Sequence, residues 1–370
     1  MLKKYRLRDY NFILLFLVIG MMIFGVLLIN RADSSFTTKQ AIGVGVSIVI
    51  MVVLSLLDYH IFLDLKFLIY PGILVILVAV LLFGVNVNQA TRWFNIGPIT
   101  FQPSELAKVL MIVFMAGLLS DFIEKEQVST FKGVGIFAAS IIPVAFLIFR
   151  EPDLSTTICT VVVMILMLYL AGLRYKIIFI VLLVLIPLAG TFLWYIQRPD
   201  QKLLNQYQVD RILTFLFPSE HADMNTQQAN SVMVIGSGQL MGKGLSPDPD
   251  VVSMSSSRMV SEQQTDFIFS VVGESFGFVG SVIVIAIFLI IVLQCIRISR
   301  RAKDPGGMLL AGGAACLFSV QSFINIGVAT ALLPNTGIPL PFLSYGLSSL
   351  MSSAIILGIV LNVGLQPERY

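Results

Sequence analysis

Ten apolar runs, each long enough to cross a membrane, constrain this chain more than anything else in it. An α-helix rises about 1.5 Å per residue and the hydrocarbon layer is about 30 Å thick, so about 20 apolar residues make one crossing. Such runs fall at roughly residues 10–30, 40–57, 67–84, 105–122, 133–149, 155–172, 175–197, 266–296, 307–330 and 347–365. Of the 370 residues, 57% are hydrophobic and 12% charged, against about 25% charged in soluble domains. The apolar excess must therefore face lipid. The expected fold is an all-α integral membrane bundle of about ten transmembrane helices, one polytopic domain over 1–370, with a long extracytoplasmic loop over 198–263 between spans seven and eight.

Basic residues orient the bundle. Lys3, Lys4, Arg6 and Arg8 precede the first span, and Lys66, Lys125, Lys132, Arg174, Lys176, Arg297, Arg300, Arg301, Lys303 and Arg369 fall on the same side. The short connections opposite hold only Arg31, Lys39, Arg92, Lys108 and Arg150. Lys- and Arg-rich short loops stay in the cytoplasm, so both termini are expected there. The inner connections "GLRYK" and "RISRRAKDPGG" read as topology anchors that touch anionic membrane lipids. The outer ones, "NQATRWFNIGPITFQPSE", "REPDLS", the long segment and "LLPNTGIPLPFLSYG", are dense in Gly, Pro, aromatic and charged residues. Irregular backbone at membrane depth must be enclosed by protein or line a wet cavity. Chemistry is expected on that outer side.

Several function classes drop out. The segment "GSGQLMGKG" lacks the spacing of a nucleotide phosphate loop, so no nucleotide cofactor is expected, nor a nucleic-acid partner; the substrate must arrive already activated. Cys159, Cys295 and Cys316 have no CxxC spacing and read as helix-packing residues. With His60 and His221 the only histidines, a metal would be a hard divalent cation, Mg2+ or Mn2+, held by carboxylates and phosphates.

Four groups of residues carry the chemical interest. Arg92 precedes Gln102, Pro103, Ser104, Glu105 and Lys108; Pro103 suits a helix start, and Glu105 and Lys108 share a face. That pair reads either as an interfacial salt bridge or as a functional couple. Glu151, Pro152 and Asp153 form a tight turn in which Asp153 caps the next helix or joins Glu151 around a divalent cation. In the long loop, Arg211, Lys243 and Arg258 are cations, and Lys243 lies between Gly242 and Gly244; they suit either solvent or a diphosphate. Finally, Ser261 and Gln264 have capping-box spacing, which places Asp266 in the first turn of the eighth span and Glu274 about two turns deeper. Asp266 then offsets a helix dipole or acts chemically, and Glu274 must face a cavity or a partner.

Together, "TRWFNIGPITFQPSELAK", "EPDLST", "GSGQLMGKGL", "TDFIFSVVGESFGFVG" and "NTGIPLPFLSYGLSS" resemble the SEDS family of shape, elongation, division and sporulation proteins, most closely its RodA branch, over nearly the whole chain. The resemblance implies a peptidoglycan glycosyltransferase of the bacterial cytoplasmic membrane that polymerises lipid II and works with a class B penicillin-binding transpeptidase. It places the catalytic aspartate at Asp266, and the family's QPSE glutamate, following lysine, outer-loop arginine and GKG lysine at Glu105, Lys108, Arg211 and Lys243. The chain departs from the family pattern at Gln264, Gln239, Ser155, Ser275 and Leu347.

With those roles, Asp266 takes a proton from the acceptor hydroxyl as the anomeric carbon is attacked. Arg92, Arg211, Lys243 and a divalent ion steady the departing polyprenyl diphosphate. Two other classes compete: a flippase for the lipid-linked precursor, which predicts repeats and polar groups on both faces, and a non-catalytic transpeptidase scaffold, in which Asp266 is dispensable. The partner's single span is expected on the small-residue surface of Gly306, Gly307, Gly312 and Gly313.

Overall fold

A computed structural model describes residues 9–87, 90–96, 99–198, 201, 209, 212–213, 226–245, 260 and 262–366. Every one of the ten apolar runs is helical: α1 (Phe12–Ala32), α2 (Thr37–Leu56), α4 (Lys66–Phe83), α5 (Pro103–Glu124), α6 (Phe131–Arg150), α7 (Leu154–Leu170), α8 (Tyr175–Ile196), α10 (Ile268–Arg300), α11 (Pro305–Ala329) and α12 (Leu347–Gly364). Eight helices among the described residues are long and apolar enough to cross a membrane, and α7, at 17 residues, falls just short. Among the described residues two shorter α-helices join them, α3 (Tyr59–Asp64) and α9 (Thr226–Ser237). Between α4 and α5 the chain makes a small antiparallel sheet, β1 (Val85–Val87), β2 (Ala90–Ile96) and β3 (Ile99–Phe101), with Val85 opposite Trp93 and Phe94 opposite Phe101.

Local chemistry sets many of the helix ends. Asn11, Thr130, Asp153 and Asp304 each cap the helix that follows by accepting a backbone N–H three residues on, and Pro103 and Pro305 stand at first-turn positions where no N–H is needed. Helices α5, α11 and α12 are the most enclosed spans and α4 is among the most lipid-facing. The enclosed ones carry the polar and small residues. On α12, Ser348, Ser349, Ser352, Ser353 and Asn362 are all buried.

Enclosure corrects one expectation. Gly306, Gly307, Gly312 and Gly313 do not form an open docking face. A Cβ on Gly312 would lie 2.9 Å from Leu170 Cδ1, one on Gly313 2.6 Å from Ile112 Cγ2, and one on Gly306 2.5 Å from Leu63 Cδ1. These glycines let α11 press against the protein's own α3, α5 and α7, which leaves no room there for a partner helix.

The eighth span also begins later than expected. Residues 262–267 form a turn, with the Asp266 N–H bonded to the Glu262 carbonyl at 3.2 Å. Helix α10 starts at Ile268, its N-cap is Phe267, and no side chain caps it. Asp266 therefore stands ahead of the helix rather than in its first turn, and Ser261 of the expected capping box lies outside the described residues. At 33 residues α10 is longer than one crossing needs, and it is broken at Gly277, whose φ of 65° is left-handed.

Candidate active site

Because consecutive long helices run antiparallel, the connections gather at two ends of the bundle. One end holds the β-sheet, the 151–153 turn, the 262–267 turn and the 330–346 loop, and every residue proposed for chemistry that the structure describes lies on that side.

The 262–267 turn is held from two directions. From α11, buried Asn325 donates through Nδ2 to the Asp266 carbonyl and to the Ile338 carbonyl, each at 2.8 Å. From the 330–346 loop, the Ser344 hydroxyl donates to the Thr265 carbonyl at 2.6 Å, and the Tyr345 N–H bonds the Gln264 carbonyl at 2.7 Å. Gln40 of α2 reaches the Ser344 carbonyl at 3.3 Å. The turn's backbone is thus fixed by α11 and the 330–346 loop, and Asp266, half-buried, sits at the boundary between protein and solvent. Sequence reasoning missed Asn325 and Ser344. The available signal was an amide inside an apolar span, which must find a partner.

Gly346 leads into α12, and there the same loop meets a second cluster. The Gln102 N–H bonds Ser348 Oγ at 2.8 Å. The Gln102 amide donates to Asp153 Oδ2 at 3.0 Å and to Ser104 Oγ at 3.1 Å. Arg92 Nη1 approaches the same Asp153 oxygen at 3.7 Å, and the other Asp153 oxygen accepts the Thr156 N–H at 3.0 Å. Asp153 is thus both a helix cap and a tie between β2, α5 and α7. A cation at this turn would meet Asp153 oxygens already engaged by Arg92, Gln102 and the Thr156 N–H. Among the described residues no three His, Cys, Asp or Glu side chains converge as metal ligands.

One turn into α5, Lys108 Nζ donates to Glu105 Oε1 at 2.7 Å. Both side chains are buried, Glu105 at 4% exposure and Lys108 at 2%, so the pair lies inside the bundle and the interfacial reading fails. Glu151, between Arg92 and Asp153, is fully enclosed. Burial, and secondly the Asp153 charge, push its carboxyl up to about 8 against the smaller pull of Ser104 and Arg92.

Lys243 and Glu274 form a separate pair. Lys243 Nζ lies 3.0 Å from Glu274 Oε1, and Glu274 is 1% exposed. The reason lies in the break in α10. Where the helix unwinds around Gly277, the N–H groups of Lys243 and Gly244 bond the carbonyls of Glu274 and Ser275 at 2.9 Å. In return, Phe278 and Val279 donate to Gln239 and Leu240 at 2.9 and 3.2 Å. A Cβ on Gly242, with φ of 80°, would sit 2.3 Å from the Ser275 carbonyl oxygen. The glycines around Lys243 therefore serve backbone-to-backbone contact with a kinked helix. Gln239 and Ser275, two departures from the family pattern, both lie on this seam. Glu274 has the partner its depth demanded. Arg211 and Arg258 lie outside the described residues.

The family model for FtsW/RodA/SpoVE cell cycle proteins matches residues 8–368. A probable peptidoglycan glycosyltransferase FtsW from Geobacter metallireducens is 32% identical, over 96% of this chain and 94% of its own. The peptidoglycan glycosyltransferase MrdB of Escherichia coli K12 is 30% identical, over 95% and 92%. Among solved structures, a chain from a peptidoglycan synthase complex that coordinates polymerization and crosslinking superposes with a TM-score of 0.79 at 25% identity, covering 96% of this chain and 97% of that one.

Proposed function

This chain belongs to the FtsW/RodA/SpoVE family of cell cycle proteins, and we infer that it is a peptidoglycan glycosyltransferase of the bacterial cytoplasmic membrane that works with a partner. Its substrate in this reading is lipid II, its partner a class B penicillin-binding transpeptidase, and its task the extension of glycan strands for cell elongation and shape. The observation that carries the proposal is the Asp266 turn, fixed by Asn325 and Ser344 and joined through the loop to Ser348, Gln102, Asp153 and Arg92.

Glycan extension joins an acceptor hydroxyl to an anomeric carbon while a polyprenyl diphosphate leaves. In this proposal Asp266 accepts the hydroxyl proton as the new bond forms. Arg92, Arg211 and Lys243 supply the cationic side of the diphosphate site, with Lys243 positioned by Glu274. Gln102, Asp153 and the Glu105–Lys108 pair hold Arg92 and the start of α5 in place. A Mg2+ or Mn2+ ion enters only as a companion of the diphosphate. The helix-capping alternative for Asp266 finds no support, since α10 has no side-chain cap. The flippase alternative needs a wet polar path at both ends.

The decisive experiment supplies the purified chain, with and without its transpeptidase, with lipid II and measures glycan strands. Asp266→Asn keeps shape but cannot act as a base, so polymerisation should fall at least about 100-fold, the low end of general-base contributions. Thermal stability and partner co-purification should stay at wild-type values. Near-normal polymerisation by this variant would remove Asp266 from the chemistry and favour a scaffold. Orientation has its own test: cysteines at Lys243 and Arg301 in a Cys-free background should react with an impermeant thiol reagent from opposite sides of the membrane. Labelling from one side would end the assignment of the loop-rich end to the outside.

A further inference from the structure

We propose that Glu151 is a further substrate-binding residue, a neutral carboxylic acid held beside Arg92 and Asp153 to donate a hydrogen bond to the diphosphate of the lipid-linked donor. The proposal rests on the polymerase reading and adds to it one residue and one proton.

Glu151 is 0% exposed, and neither of its carboxylate oxygens has a partner at full hydrogen-bonding geometry, the Ser104 hydroxyl being near enough only to pull weakly on it. Its neighbours are engaged. Asp153 accepts from Thr156 and Gln102 and faces Arg92, while Glu105 accepts from Lys108. An enclosed, unpartnered carboxylate is unfavourable as an anion, and such a group keeps its proton instead. Of the charges around it, Asp153 opposes ionisation and Arg92 favours it. Glu105 and Lys108 on α5 offset each other at 2.7 Å. The upward shift of the Glu151 carboxyl to about 8 agrees with that geometry.

A protonated Glu151 has an O–H to give, and the buried Nε of Arg92 is likewise without an acceptor. Two such donors, both beside Asp153, suit a phosphate oxygen. No bond is made or broken in this role. The acid lends a hydrogen bond and spares the site a negative charge that would repel the ligand.

The sign of the pH effect follows. Below about pH 8 the acid is neutral and donates; above it, a second anion stands beside Asp153 and binding weakens. The phosphate's own second ionisation, near pH 6, is complete before that window opens.

The test is calorimetric binding of farnesyl diphosphate to the full chain in detergent between about pH 7.5 and 9.5, a window set by that sign argument. Wild-type affinity should fall at least about tenfold across it, and Glu151→Ala should bind about tenfold more weakly at its lower limit, the low end for a hydrogen bond to a charged group. Glu151→Gln, a neutral donor at every pH, should match wild type at the lower limit and show no fall. Parallel pH slopes in wild type and Glu151→Gln overturn the proposal, as does an absence of wild-type binding. If Glu151→Ala does not fold, the isosteric Glu151→Gln still decides. Lipid II polymerisation by the same samples separates the two readings: pH-dependent binding without glycan synthesis breaks the polymerase assignment and leaves the anion site standing.

Discussion

The two ends of the bundle solve the same problem, charged residues at the mouths of apolar helices, in opposite ways. At the end carrying the 56–66 and 300–305 connections, the charges close on one another. His60 lies between Asp58, 2.6 Å from Nδ1, and Asp304, 3.1 Å from Nε2. Tyr59 donates its hydroxyl to the same Asp304 oxygen, and its N–H bonds Asn362 Oδ1 at 3.0 Å. Gln366 spans Asp58 and Asn362, and Lys66 pairs with Asp121 at 2.6 Å. At the loop-rich end, Arg92 Nε, both Glu151 oxygens, Ser275 Oγ, Asn325 Oδ1, Asn335 Oδ1 and Thr336 Oγ1 are buried without partners. Among the described residues, no such atom lies at the closed end. Buried polar groups are normally satisfied by protein or ordered water, so the loop-rich end is the one whose polar groups are left for water or a polar ligand to meet.

That contrast can be broken. The largest effect after loss of Asp266 is expected at Lys108. Replacing it by Ala strands Glu105 in the bundle, and breaking a buried pair costs about 3–5 kcal/mol, to be read as a lowered unfolding midpoint. The double variant Glu105→Gln with Lys108→Met should recover most of that stability but not polymerisation. Full activity in the double variant would make the pair merely structural.

A smaller effect is expected at the closed end. Asp304→Asn can still cap α11 through Oδ1 but puts an NH2 group where the second oxygen met Tyr59 and His60, and losing a hydrogen bond to a charged group costs about 1.5–3 kcal/mol. Polymerisation per folded molecule should match wild type. A large loss of turnover in a well-folded Asp304→Asn protein would show that the closed end takes part in function, as the flippase reading requires.

A last effect is read as stability against pH. The Glu151 carboxyl is raised to about 8 in the folded chain and lies near 4.3 unfolded. The folded state therefore binds the extra proton between those values, and stability falls as pH rises through that window and levels off above it. Glu151→Gln should flatten that slope in a series of melting curves, and an unchanged slope would place the raised group elsewhere.

Much of this was legible in the sequence because it is local. Hydropathy along the chain marked the ten helices within a few residues, since a run that cannot face water must cross lipid or be enclosed. Pro103 and Asp153 announced their helix starts, and five short motifs announced the family. What spacing could not hold were the partners. Gly306, Gly307, Gly312 and Gly313 read as an outward face, because a stripe of small residues looks the same whether a foreign helix or the protein's own packs on it. Lys243 read as a loop cation with no protein partner in view, and the carboxylate that positions it, Glu274, stands 31 residues on. The start of the eighth span was misplaced because contacts from Asn325 and Ser344, 59 and 79 residues downstream of the groups they bind, stabilise a turn where local capping signals favoured a helix. The sequence by itself determined the solvent this chain lives in and its helices, since transfer of apolar surface and backbone hydrogen bonding act residue by residue. Tertiary structure alone decided which charges are neutralised, which carboxyl keeps its proton and where α10 breaks, because those energies depend on the enclosure and partners that distant segments bring together.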